Sequence, residues 1–343
     1  MRPSENGYQP AAGYLAKQMA QMDELSQAPM PAFEVIEHDP LVDSSNMSTE
    51  IWRAIANEIH SNYAQFDGFV VLHGTDTMAY TASALALMLQ GLGKPVILTG
   101  AQLPLGQIRN DARENLKTAM MLAANYSIPE VSLFFGDHLY RGCRSTKVSA
   151  TKFDAFDSPN YPPLASVGTS IEIFEEHIRF GDSANQGNPN QRNAGQEKAD
   201  LKNNPLVVKS INPAEISAFR LFPGLSVDIL KHFLQRPLKG IILETYGDGN
   251  GPSNDPEFIG ALKEASDNGM VILGCTQCIH GGMTQAGYAT GTALTRAGVI
   301  PGRDMTIEAS LTKMMFLFSQ NLPVEDIKKQ LAENLVGELT LLD

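Results

Sequence analysis

The chain has 343 residues, too many for one typical hydrophobic core, and its 43% hydrophobic content is that of a globular protein. With 38 acidic and 26 basic residues its formal charge is -12, which argues against an electrostatic grip on nucleic acid or anionic lipid and points to a small-molecule partner. No apolar run approaches the roughly 20 residues that span a bilayer, and "MRPSENGYQPAAGY" lacks the basic-then-apolar order of a signal peptide, so the expected location is cytoplasmic.

In chain order, the first helical pattern begins near Tyr14 and no apolar strand precedes it. In "DSSNM", Asp43 to Met47, the serines stand just before a second helical pattern starting near Ser48, where a hydroxyl can cap a helix. Ser44, one step further out, is equally placed to donate to a substrate carboxylate, and spacing leaves both readings open. The run Phe69-Val70-Val71-Leu72 is short, apolar and β-branched, the pattern of a strand covered on both faces. Gly74 breaks it. From Met78 the residues Ala82, Leu85, Leu89 and Leu92 recur at helical spacing until Lys94-Pro95, and Val96-Ile97-Leu98 forms the next strand.

In such strand-helix-strand units, ligands sit at the carboxyl ends of the strands, where the first N–H groups of the following helix point outward. "HGTDTM" puts Thr75, Asp76 and Thr77 at that edge. His73 adjoins them, and a strand-end histidine is more often a satisfied structural residue than a catalytic one.

A helix is expected near Asn110 to Asn125 and a strand at "VSLFF", Val131 to Phe135. "YRGCRSTK", Tyr140 to Lys147, read alone is a solvated basic loop. Coupled to Asp76 it acquires chemistry. A lysine held against a carboxylate in a partly desolvated cleft can relay the proton of a neighbouring threonine, whose hydroxyl is a poor nucleophile until activated. Thr75, Lys147 and Asp76 would then do what Ser, His and Asp do elsewhere.

The proline-rich "DAFDSPNYPPL" leads to a possible strand in "SIEIFE". Gly181 to Asn204 is polar and almost without apolar residues, so it is expected to be a mobile loop that folding can dispense with. After a linker over 206–215 a second α/β block begins at Ile216. It offers a strand in "GIILETY", a helix from Pro256 to Asn268, a strand in "MVILG", and helices near Ala286 to Ala297, Ile307 to Gln320 and Val324 to Asn334. The expected domains are therefore 1–205 and 216–343. In "YGDGNGPSNDP" the glycines miss the dinucleotide fingerprint because position 252 is proline, while Asp255 and Pro256 suit a helix N-cap and first turn. "CTQC" has no second CxxC, and the seven histidines lack ligand spacing, so no metal, redox centre or other cofactor is expected.

"HGTDTMAYTASAL" resembles the second threonine motif of L-asparaginases. "LVDSSNM", "GKPVILTGAQLPL", "LYRGCRSTK", "FDAFDSPNYPPL", "ETYGDGN" and "YATGTALTRAGVI" also resemble segments of the cytosolic type I branch, in the family's order and over nearly the whole chain. The resemblance implies an amidohydrolase that converts L-asparagine to L-aspartate and ammonia without metal or organic cofactor. The implied fold is a larger N-terminal doubly wound α/β domain and a smaller C-terminal α/β domain, assembled as a homotetramer built as a dimer of dimers. Thr75, Asp76 and Lys147 fall on the family's Thr-Lys-Asp triad. Tyr8 matches the flexible-loop tyrosine that bonds the first catalytic threonine, Ser44 a residue that binds the substrate carboxylate, and Asn250 a residue reaching the site from a neighbouring subunit. Glu244 stands where regulated members can place an arginine, so a second, regulatory asparagine site is not carried over.

One departure matters for activity. The family's first strand ends in TGGT, whose threonine attacks the amide carbonyl, and no TGGT occurs in residues 1–343. By themselves these residues are expected to be poorly soluble, to lack a central strand of the sheet and to hydrolyse asparagine negligibly. Two other readings are a catalytically silent relative acting through subunit association and the asparaginase-like subunit of a tRNA-dependent amidotransferase. The second should carry a further RNA-associated domain and is disfavoured by the length and charge.

Overall fold

Short apolar runs separated by helical patterns dictate alternating strands and helices. In a computed structural model, which describes residues 2–4, 7–180, 205–283 and 289–341, they form two units. The first comprises Met1–Ser158 and Pro162–Val208, the second Pro159–Tyr161 and Lys209–Asp343. The polar segment Gly181–Asn204 lies outside the described residues.

In the first unit, Arg2–Ser4 and Gly7–Gln9 make a small antiparallel hairpin pairing Pro3 with Tyr8. Helices α1 (Tyr14–Met19) and α2 (Thr49–Asn62) follow. Next come β1 (Phe69–Leu72), α3 (Met78–Met88), β2 (Val96–Thr99), α4 (Ala112–Asn125) and β3 (Val131–Phe135). The three strands are parallel, pairing Phe69 with Val96 and Val96 with Val131. β2 and β3 are buried along their whole length, which is why they read as unbroken apolar runs. β1 is the outer strand among the described residues, and its Leu72 is 39% exposed.

Helix α3 is apolar on nearly every face and correspondingly buried. It stops at Met88, short of the expected Leu92. Leu89–Gln90 leave the helix to pair antiparallel with Val207–Val208, and Gly91 takes a left-handed φ of 77° that few other residues tolerate.

The loop expected at 140–147 is corrected by the structure. β4 (His138–Arg141) doubles back antiparallel on β3 and is followed by β5 (Ala165–Val167) and β6 (Ile171–Ile173), so the sheet order is β6-β5-β4-β3-β2-β1. Arg141 and Arg144 are only 5% and 2% exposed. Arg141 grips Glu130 through Nε at 2.5 Å and Nη2 at 3.0 Å, and Nη2 also donates to the His177 carbonyl. A guanidinium satisfied by a two-pronged carboxylate can be buried where an unpaired one could not.

The second unit is a parallel sheet in chain order: β7 (Ile216–Arg220), β8 (Gly240–Thr245), β9 (Val271–Thr276) and β10 (Val299–Pro301). Its crossovers contain α5 (Val227–Phe233), α6 (Pro256–Asp267) and α7 (Ala289–Arg296), and the chain ends in α8 (Ile307–Phe318) and α9 (Val324–Ala332). Asp255 caps α6 as its spacing predicts, accepting from the Glu257 and Phe258 amides at 3.0 and 3.2 Å. Lys313 on α8 donates to Glu338 at 2.6 Å and to the Leu331 and Glu333 carbonyls, fastening the final segment. Cys275 packs on Ser310, and burial pushes its thiol pKa up to about 12, which leaves it an inert core residue. No described helix is long and apolar enough to cross a membrane.

Candidate active site

The carboxyl ends of β1 and β2 meet in a cramped turn. A methyl at Gly100 would stand 2.2 Å from the His73 carbonyl oxygen, and one at Gly74 would stand 2.4 Å from Ser44 Oγ. Both glycines permit close approach, and the second lets Ser44 lie directly against the Gly74–Thr77 backbone. Thr77 Oγ1 donates to the Ser44 carbonyl at 2.7 Å, tying the two segments together. Ser44 is buried, and its hydroxyl bonds to no described residue. Neither Ser44 nor Ser45 caps α2. Asp43 is the local cap instead, accepting from the Ser45 amide at 2.9 Å and its hydroxyl at 2.8 Å, which hold the carboxyl below its usual pKa.

Lys147 comes from the segment that follows β4. A buried turn, Gly142–Arg144, is packed against α3 and closed by the Ser145 hydroxyl on the Gly142 carbonyl at 2.8 Å. The chain then pairs Thr146–Lys147 with Phe156–Asp157. From there Lys147 Nζ donates to Thr75 Oγ1 at 2.8 Å and to Asp76 Oδ1 at 2.7 Å. Residues 72 positions apart are thus in direct contact. The distances fall within the reach required for proton transfer. While charged, the ammonium donates to both oxygens; once neutral, the same nitrogen can accept the threonine proton. Asp76 is mostly solvent-exposed, so one of its oxygens holds the lysine while the other remains available to a ligand.

His73 is a structural residue. Its Nδ1 lies 2.6 Å from the Gly74 carbonyl and its Nε2 lies 2.8 Å from Thr81 Oγ1, which also accepts from Trp52 Nε1 at 2.9 Å. A carbonyl only accepts, so Nδ1 carries the proton and Thr81 donates to Nε2. Burial lowers the ring pKa, outweighing the Gly74 carbonyl, and keeps the ring neutral. The chain from Trp52 through Thr81 and His73 therefore holds the peptide that precedes Thr75.

Tyr8 is in the N-terminal hairpin, and Asn250 is in the second unit, bridged to Tyr246 across a tight turn. Glu244, also in the second unit, pairs with Arg220 at 3.0 Å. Sequence reasoning missed Gln102, whose Oε1 accepts from the Thr75 hydroxyl at 3.3 Å. Its sequence signals are its place two residues past the Gly100 turn and its membership of "GKPVILTGAQLPL".

An α/β protein thus gathers a threonine hydroxyl, an ammonium and a carboxylate at the edge of a parallel sheet. Residues 1–179 match the model of the asparaginase N-terminal domain, and residues 215–331 match that of the glutaminase/asparaginase C-terminal domain. The chain is 48% identical to L-asparaginase 1 of Escherichia coli, over 99% of this chain and 94% of that protein. The solved L-asparaginase I of Vibrio cholerae is 43% identical and superposes with a TM-score of 0.86, covering 99% of this chain and 95% of the other. A glutamyl-tRNA(Gln) amidotransferase polypeptide of Pyrococcus horikoshii is 31% identical, over 93% of this chain and 70% of that protein. The chain belongs to the asparaginase family, with that family's two α/β domains.

Proposed function

We propose that the protein is an L-asparaginase that hydrolyses the side-chain amide of L-asparagine to L-aspartate and ammonia. The carrying observation is Lys147 Nζ held 2.8 Å from Thr75 Oγ1 and 2.7 Å from Asp76 Oδ1. Similarity to L-asparaginase 1 of Escherichia coli supports the choice of substrate. The mechanism follows from the donors. Neutral Lys147 takes a proton from the attacking oxygen as it adds to the amide carbonyl, and returns it to the leaving nitrogen, so that ammonia departs. Water then cleaves the resulting ester by the same relay in reverse. Asp76 stabilises the lysine when it is charged and faces the substrate ammonium with its outer oxygen. The hydroxyl of Ser44, against Gly74, donates to the substrate carboxylate.

Tyr8 and Asn250 are proposed to complete the site, Asn250 from a neighbouring subunit of a homotetramer, in a cytoplasmic enzyme. The attacking oxygen has two candidates: Thr75 itself, or the threonine of a TGGT segment, with Thr75 passing its proton to Lys147.

Ammonia release from asparagine, glutamine and small esters, measured for residues 1–343 and for the same residues preceded by an apolar strand ending in TGGT, separates these cases. Turnover by the extended form alone, with asparagine preferred, assigns attack to the added threonine. Turnover by both forms assigns it to Thr75. No amide turnover by either form would overturn the enzyme reading in favour of a silent relative.

A further inference from the structure

The Gln102 side chain touches the Thr75 hydroxyl that Lys147 also meets, and its orientation is dictated by its partners. Its backbone N–H and that of Leu103 donate to the two oxygens of Asp111 at 2.9 and 3.0 Å, so the loop leaving β2 is fixed before its side chain does anything. Gln102 Nε2 then donates to the Lys152 carbonyl at 3.0 Å and the Ser149 carbonyl at 3.4 Å. Carbonyls cannot donate, so the amide nitrogen must face them and Oε1 must face Thr75. Flipping the amide would forfeit both bonds.

Two consequences follow for Thr75. Gln102 Oε1 only accepts, so the Thr75 hydroxyl proton points to it, 3.3 Å away, while the Lys147 ammonium occupies a lone pair of the same oxygen. A hydroxyl rotor that would otherwise be free has one orientation. The bond is at the long, weak end of its class, so it releases the proton once Lys147 becomes neutral and able to accept it. In addition, Ser149 and Lys152 lie just beyond Lys147, and Ser149 Oγ accepts from the Thr151 and Lys152 amides at 3.2 and 3.0 Å. One side chain therefore couples the threonine to the loop that follows the lysine.

We propose that Gln102 is a positioning residue of this site, orienting the Thr75 hydroxyl and registering it against Lys147. The proposal rests on the amidase reading above for its kinetics but not for its geometry. It is tested with Gln102→Met and Gln102→Glu in the form that turns over asparagine, by kcat and KM across pH and by backbone hydrogen exchange over residues 148–153. Gln102→Met should lower kcat by about 10- to 100-fold, as small losses of alignment do. Its KM should stay within about threefold of the parent, and Thr151 and Lys152 should exchange faster. Gln102→Glu keeps an acceptor for Thr75 but adds a charge that favours the lysine ammonium, so the acidic limb of the kcat profile should move about 1 pH unit higher.

A merely structural role would lower the melting temperature and leave that limb in place. A Gln102→Met kcat within twofold of the parent, or an unmoved limb in Gln102→Glu, overturns the proposal. A parent that releases no ammonia sinks the amidase reading instead. In that case unchanged exchange at Thr151 and Lys152 in Gln102→Met would overturn the tie itself, and faster exchange would uphold it.

Discussion

Lys147 and Lys313 each meet a carboxylate at nearly the same distance, 2.7 Å from Asp76 and 2.6 Å from Glu338. The pairs differ in what else the ammonium touches and in how wet they are. Lys313 and Glu338 are 0% and 1% exposed, and backbone surrounds the pair: the Leu331 and Glu333 carbonyls accept from the lysine, and the Leu335 and Val336 amides donate to the glutamate. Lys147 and Asp76 are 21% and 66% exposed, and the lysine's other partner is a hydroxyl. A buried pair closed by fixed dipoles is held in one protonation state and acts as a clasp. A partly exposed lysine beside a hydroxyl and a solvated carboxylate gains little stability from its ion pair but has somewhere to send a proton. The same two groups, an ammonium and a carboxylate, thus form a clasp in one unit and the proposed proton relay in the other.

The sharpest way to break this contrast is to remove each ammonium in turn. Lys147→Met should lower the asparagine rate by about 10²–10⁴-fold, the usual contribution of positioned proton transfer, and move the melting temperature by only a few degrees. Steady-state kinetics beside a melting curve check both halves. Lys313→Met should do the reverse. It strands a buried carboxylate, at a cost of about 3–5 kcal/mol, while the rate per folded molecule stays within a few-fold of the parent. Replacing both partners, Lys313→Met with Glu338→Leu, should restore part of that loss, measured by denaturant unfolding, because no buried charge is then left alone.

A smaller effect sharpens the contrast by pH. Burial of Glu338 works toward its neutral form, but the Lys313 charge and hydrogen bond and the Leu335 and Val336 amides outweigh it and hold the carboxyl below its ordinary value of 4.5. The folded state therefore binds fewer protons than the unfolded chain. The pair's stabilisation is complete above about pH 4.5 and declines as pH falls below it toward the depressed folded value. Unfolding curves of the parent and Glu338→Gln should accordingly converge as pH drops through that range. A gap that stays constant would remove Glu338 from the clasp.

Much of the scaffold was legible because burial on both faces writes itself as apolar runs, as in Val96–Thr99 and Val131–Phe135. β4 was not legible, since His138–Arg141 carries charge that is admissible in the core only because Glu130 meets Arg141 there. The Lys313–Glu338 clasp was hidden for the same reason: two charged residues read as solvated until each is seen to cover the other. Thr75 and Asp76 could be singled out from their place at a strand end. Pairing them with Lys147 rested on chemical type and family resemblance, because no local pattern reports a contact 72 residues away. Gln102 carries no such mark, since a side-chain amide is chemically unremarked in sequence and gains its meaning only from the carbonyls it faces.

The central claim is that the Thr75 hydroxyl, set against Lys147, takes part in breaking the amide. Ammonia release from asparagine by Thr75→Val, compared with the parent in the form that turns over asparagine, tests it most directly, since valine keeps the shape and puts a methyl group in place of the hydroxyl. The account predicts a rate lowered by at least about 10²-fold with the folded content unchanged. A Thr75→Val rate within a few-fold of the parent would contradict it.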